Sequence, residues 1–172
     1  TPHHLLLTDA SVIGYDTACR VNPPLREEHD VAALRRALAD GTIDAIATDH
    51  APHSRLEKDL EFAEASPGMM GLELCLGLLT QLVGRDGLTL NRLVDALSQA
   101  PARIAGLEVP RIVPGALAEL TLVDPEARWI PAERRLKTKS LNSPFLKEEL
   151  GAKVLMTVAH GAVVFDEVGA AS

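Results

Sequence analysis

A chain of 172 residues can bury one ordinary hydrophobic core or hold pieces of two domains. Its 47% apolar and 24% charged content is that of a globular protein, and no stretch approaches the ~20 uninterrupted apolar residues that a bilayer crossing needs. A formal net charge of −7, with no Lys/Arg stripe and interleaved aromatics, argues against a phosphate-backbone binder and makes an enzyme with a small-molecule substrate the expectation. No secretory signal is visible, so the expected location is the cytoplasm. Cys19 and Cys75 are isolated thiols without metal spacing, expected to be buried and reduced. The chain opens at Thr1 with its most informative motifs already in place, as though in the middle of a fold.

Leu5 to Leu7 is a short apolar run leading into a turn-rich loop, Thr8 to Pro24. After the solvated charge run Arg26 to Asp30, the recurrence of Val31, Leu34, Ala37 and Leu38 predicts an amphipathic helix that Gly41 can stop. Ile43 to Thr48 (IDAIAT) is short and nearly all apolar, which predicts a strand buried on both faces, as in a parallel sheet or barrel. Asp49 lies just past its end. Ser54 to Pro67 reads as a polar loop of about a dozen residues, long enough for a lid or binding loop. An apolar helix is expected over Gly71 to Val83. Thr89 can cap a further helix, Leu90 to Gln99, before a closing turn at Pro101 to Leu107. Beyond Val109 the pattern changes: Leu120 to Val123, Trp129 to Ile130 and Val154 to Val158 are strand-like, and Ala162 to Phe165 after Gly161 completes a hairpin. A domain boundary is therefore expected near residue 110, with helix–strand alternation over 1–110 and small all-β structure over 111–172.

The strongest chemical signal is Asp49-His50-Ala51-Pro52-His53 directly after the expected buried strand. Side chains at the C-terminal ends of (β/α)8 barrel strands form active sites. A carboxylate there can bind a metal or take a proton from metal-activated water. The residue types alone also allow Asp49 to cap a turn with the histidines as loop residues. His3 and His4 look like a ligand pair, but adjacent side chains diverge on an extended chain, so neither is expected to bind metal. His50 is expected to orient the motif, and His29 and His160 to be surface or structural residues.

IDAIATDHAPH (Ile43 to His53) resembles the last-strand motif of bacterial-type dihydroorotases, within the amidohydrolase superfamily. VNPPLR (Val21 to Arg26) resembles that family's substrate loop, TPHHLLLT (Thr1 to Thr8) its preceding barrel segment, and SPGMMGLE (Ser66 to Glu73) its loop and following helix start. LTLVDP (Leu120 to Pro125), KSLNSPF (Lys139 to Phe145) and KVLMTVAHGAVVF (Lys153 to Phe165) resemble its C-terminal region. The likeness runs through nearly the whole chain, departing from the family pattern at Gly115 to Glu119 and at Lys147 to Leu150.

The resemblance implies an α/β fold: the C-terminal portion of a (β/α)8 amidohydrolase barrel over residues 1–110, then part of a small β-sandwich domain over 111–172. It implies reversible hydrolysis and cyclisation between (S)-dihydroorotate and N-carbamoyl-L-aspartate in pyrimidine biosynthesis, with one or two Zn²⁺ ions. Asp49 would be both a zinc ligand and the catalytic acid–base. Asn22 would hydrogen-bond the substrate, His53 would contact its carboxylate, and Pro67 and Gly68 would offer it backbone groups. The family's His-x-His pair, further metal histidines and bridging acid have no counterpart here. Since zinc takes three or four protein ligands, most are expected upstream, and this segment is expected to be inactive alone. A homodimer or aspartate transcarbamoylase is the expected partner. One rival is a hydantoinase- or dihydropyrimidinase-type enzyme, against which NPPLR argues. The other is a metal-free dihydroorotase homologue serving as a structural partner of aspartate transcarbamoylase.

Overall fold

A computed structural model describes residues 1–109, 111–133, 136–167 and 169. Thr1 opens the first element: its hydroxyl accepts a hydrogen bond from the His4 amide, and Pro2 fits the first turn, where no backbone N–H is needed. The resulting α1, Pro2–Leu6, packs on α2, Glu28–Asp40. Helix α2 follows the sequence periodicity, burying Val31 and Leu38 and ending on Gly41 at φ 87°.

The strand expected over residues 43–48 does not form. Of that run only Ile46 is buried, its amide bonded to the Ala96 carbonyl at 2.9 Å. A strand needs a partner, and the sole pairing here is a parallel bridge between His50 and Met69. The reading failed because an apolar run fixes burial, not pairing.

Ser54 and Glu57 form a capping box that starts α3, Arg55–Lys58, inside the expected loop. The next helix, α4, begins at Cys75 rather than Gly71, because 71–74 closes into a turn; it runs to Leu79 and tightens into a 3₁₀ turn at Thr80–Leu82. Thr89 caps α5, Leu90–Val94, by accepting from the Arg92 amide. A π-helical turn, Asp95–Gln99, then feeds α6, Ala100–Ile104, so Pro101 sits in a helical first turn where a closing turn was expected.

Strands β1, Leu120–Trp129, β2, Leu150–Ala159, and β3, Ala162–Asp166, form one antiparallel sheet in that order. The register pairs Leu120 with Val158, Trp129 with Leu150, and Ala159 with Ala162. The expected hairpin is present: His160 and Gly161, at φ 50° and 75°, make the positive-φ turn that suits tight hairpins. The fold therefore mixes helix and strand. A closed barrel and a sandwich are not seen among the described residues, whose one named sheet is antiparallel. The boundary expected near residue 110 falls on Pro110, which lies outside them. No described helix is long and apolar enough to cross a membrane.

Helix α4 and its flanks serve two cores. Cys75, Leu79 and Leu82 join Leu5, Leu38, Ile46 and Leu93, whereas Leu74 and Leu78 join Val21, Leu25, Met69, Met70, Phe145 and Leu150. Gly77 lets the helix meet β2 closely, since a Cβ there would lie 2.9 Å from the Gly151 carbonyl oxygen. The second core matters for function. It fastens the loops carrying residues 19–25 and 66–70 to the segment around residues 140–150.

Candidate functional site

Asn22 is exposed because its neighbours are not: Val21 and Leu25, each 7% exposed, sink into the second core and hold the loop between them at the surface. The Asn22–Pro23 peptide is cis. Among the described residues, no hydrogen bond joins Asn22 directly to another candidate residue. Its loop is instead tied down by His4, whose Nε2 lies 2.9 Å from the Pro23 carbonyl oxygen.

Asp49 adopts φ 46°, a left-handed conformation that Asp tolerates better than most side chains. Its side chain is 43% exposed to solvent, and among the described residues no protein donor hydrogen-bonds to the carboxylate. Nε2 of His3 lies 3.6 Å from Oδ2, too far for a hydrogen bond. His3 itself is 2% exposed, and its Nε2 is buried without a partner. Burial first, then the neighbouring His4, pushes its pKa down to about 3, so the ring is neutral at pH 7 and the contact is not an ion pair. The argument that set His3 and His4 aside assumed an extended chain. They lie on α1 instead, with ring centroids 4.4 Å apart. One turn of helix thus reaches both motifs, His3 towards Asp49 and His4 towards the Asn22–Pro23 loop.

His53, Pro67 and Gly68 come together directly. The His53 ring places Nε2 3.2 Å from the Pro67 carbonyl oxygen and Nδ1 3.5 Å from a Glu57 carboxylate oxygen. Gly68 has φ +134°, and a Cβ there would lie 2.6 Å from the Ala51 Cβ and 3.1 Å from His53 Nε2. The backbone groups expected to meet a substrate are engaged internally: the Gly68 amide donates to the Arg20 carbonyl at 2.8 Å, and its carbonyl accepts from Lys58 and Asn142. Pro67 offers a carbonyl already facing His53. His50 orients its motif, its Nδ1 accepting from the Gly71 and Leu72 amides at 3.1 and 3.2 Å. His29 and His160 are exposed.

Sequence reading missed three supporting side chains. Lys58, 7% exposed, donates from Nζ to the carbonyls of Ser66 (2.9 Å) and Gly68 (3.0 Å), and reaches Arg20 O at 3.5 Å. Burial lowers its pKa, with the charge of Arg20 adding to the effect. Asn142 donates to the Ala51 and Gly68 carbonyls at 2.9 and 3.2 Å, while Ser140 donates to the His53 carbonyl at 2.7 Å. Asn142 was visible only inside the KSLNSPF likeness. Nothing in the sequence set Lys58 apart from a solvated lysine.

A zinc ion takes three or four protein donors. Among the described residues no cluster of three or more His, Cys, Asp or Glu side chains is assembled. The solvent-facing Asp49 carboxylate and the orphaned His3 nitrogen are donors of the right chemistry, so the segment fits a metal as part of a ligand set and not as a whole one. The apolar cavity of about 310 Å³ lined by Leu76, Gly77, Trp129 and Phe165 is a separate feature that includes none of the candidate residues.

Residues 7–164 match the amidohydrolase family. A dihydroorotase of Geobacter metallireducens is 49% identical over 164 residues, which is 95% of this chain and 39% of that protein. A dihydroorotase of Anaeromyxobacter dehalogenans is 46% identical over 169 residues, 97% of this chain and 39% of its own. The chain thus spans about two fifths of the length of these relatives. Among solved structures, the L-hydantoinase (dihydropyrimidinase) of Arthrobacter aurescens superposes with a TM-score of 0.84 at 25% identity, over 96% of this chain and 38% of that one. The dihydropyrimidinase of Brevibacillus agri gives 0.82 at 24% identity over the same shares, a likeness of fold alone.

Proposed function

Since this chain belongs to the amidohydrolase family, we propose that it is the C-terminal segment of a dihydroorotase, which interconverts (S)-dihydroorotate and N-carbamoyl-L-aspartate. The observation that carries this reading is the near-half identity to dihydroorotases over almost the whole chain. The geometry agrees with it. A solvent-facing carboxylate, an exposed amide and an imidazole beside a glycine turn are held by contacts between motifs far apart in sequence.

In the hydrolytic direction water adds to the ring amide carbon and the carbon–nitrogen bond breaks. Asp49 takes a proton from the attacking water and returns it to the departing ring nitrogen; cyclisation reverses both transfers. The Asn22 amide can donate and accept at once, and so grips the substrate's polar edge. His53 binds the substrate carboxylate, which requires it to release Pro67 or Glu57. The Pro67–Gly68 turn offers the Pro67 carbonyl once His53 has moved. Asp49 would hold Zn²⁺ together with donors from outside this segment, and such an ion polarises the amide carbonyl and acidifies water. On this reading residues 1–110 belong to a (β/α)8 barrel and 111–172 to a small β-sandwich domain. The protein would serve pyrimidine biosynthesis in the cytoplasm, as a homodimer or with aspartate transcarbamoylase.

The fold likeness to hydantoinases favours a second reading, hydrolysis of a cyclic ureide lacking the carboxylate. The complete chain that contains this segment should be assayed on dihydroorotate, hydantoin and dihydrouracil. A kcat/KM at least about 100-fold higher on dihydroorotate is expected, because a site built to pair a charged group rejects analogues lacking it. Equal or better turnover of hydantoin would establish the second reading.

A further inference from the structure

We propose that Lys58 is a positioning residue that latches the Pro67–Gly68 turn to the Arg20–Asn22 loop, so that substrate affinity, rather than the chemical step, depends on it. The inference rests on the site reading above. Lys58 lies on a four-residue helix whose start is fixed by the Ser54–Glu57 capping box, so its Cα is held relative to His53. Its side chain crosses beneath the loop and places Nζ among carbonyls from two segments: Arg20, two residues before Asn22, and Ser66 and Gly68, which flank Pro67. Among the described residues no carboxylate lies within ion-pair distance of Nζ. A buried ammonium is costly unless its donors are used, and among the described residues its acceptors are backbone carbonyls of the two loops. The bonds to Ser66 and Gly68 are short and charge-assisted, a class about twice as strong as neutral bonds. The 3.5 Å reach to the Arg20 carbonyl is weak, so the amino group acts by fixing the turn that meets Arg20. The Gly68 amide to Arg20 carbonyl bond at 2.8 Å is the joint that the latch closes.

Removing the amino group takes away no hydrogen bond to the Asp49 side chain among the described residues. It frees the turn facing His53 and the loop carrying Asn22, both proposed to bind substrate alike in ground and transition states. Such losses raise KM and spare kcat. The test uses the complete chain, with Lys58→Met to keep the packed stem and Lys58→Gln, which keeps a donor, in case the first does not fold. KM for dihydroorotate should rise about tenfold or more in Lys58→Met with kcat within about threefold. Hydrogen exchange at the Gly68 amide should accelerate about tenfold while helix α2 keeps its protection. An unchanged KM with a lowered kcat, or unchanged exchange at Gly68, overturns the proposal. Loss of protection spread through α2 also overturns it, since that marks general destabilisation. If the unsubstituted protein does not turn over dihydroorotate, the proposed function fails, and exchange at Gly68 decides on the latch by itself.

Discussion

Replacing Gly68 by alanine should disturb the candidate site more than any other single methyl added at a glycine of this loop. Gly68 has φ +134°, a region open to glycine and strained for any other residue. That strain alone costs about 1–3 kcal/mol. The new Cβ would also lie 2.6 Å from the Ala51 Cβ, where carbon atoms rest at about 3.5–4.0 Å. The Ala51 Cβ has no rotatable bond to yield, so the backbone of the Asp49–His53 motif must move, adding about 1–3 kcal/mol of overpacking. Together these give about 2–6 kcal/mol. Gly41 is the control: its φ is +87°, but nothing lies within 4 Å of its Cβ position, so Gly41→Ala should cost about 1–2 kcal/mol. Equilibrium denaturation of both variants in the complete chain measures the difference, and KM for dihydroorotate reports displacement of His53, whose Nε2 would sit 3.1 Å from the added carbon. A Gly68→Ala variant no less stable than Gly41→Ala, with an unchanged KM, would refute the close approach and the site built on it.

Asn22→Ala should raise KM more than it lowers kcat, because the contacts it removes exist in both ground and transition states; steady-state kinetics with unchanged KM and collapsed turnover would move Asn22 to the chemical step. The 172-residue segment alone should neither retain stoichiometric zinc nor hydrolyse dihydroorotate, since it assembles no set of three donors among its described residues; metal analysis and an activity assay of the purified segment check this. Burial raises the Cys19 and Cys75 thiols to about 11, from 9.0. Their neutral forms therefore stabilise the fold fully below pH 9, and that contribution is lost as pH rises from 9 through about 11, because the unfolded chain ionises first. Denaturation midpoints falling between pH 8 and 10, with slow alkylation of both thiols in the native protein at pH 8, are expected.

Helix α2 was legible because Val31 and Leu38 sit on one face and Gly41 ends it, all local signals. The β2–β3 hairpin was legible for the same reason, from Gly161 between two apolar runs. The run at residues 43–48 was not, since pairing depends on neighbours that no periodicity encodes. The length of α4 was misread because the apolar character of residues 71–74 says nothing about the turn they close. Within the site, the motif containing Asp49 and His53 stood out by residue type, whereas the Ser54–Glu57 capping box that starts α3 was passed over when residues 54–67 were read as a loop. Lys58 and Asn142 could not be found that way. Their roles arise from carbonyls 8 to 91 residues away, and only the folded chain brings those together.

The most direct test is the rate of dihydroorotate hydrolysis by the complete chain with Asp49 intact and with Asp49→Asn. Asparagine keeps the size of the side chain and tolerates the left-handed backbone at φ 46°. Among the described residues no donor bonds to the carboxylate, so the substitution breaks no hydrogen bond of the fold. It removes the group that moves the proton, and a neutral amide is a poorer zinc ligand than a carboxylate. General acid–base assistance is typically worth 10²–10⁴-fold. The account predicts a folded Asp49→Asn protein slower by at least about 100-fold. A folded variant retaining more than about a tenth of the rate would contradict it, because that falls short of even the smaller effect.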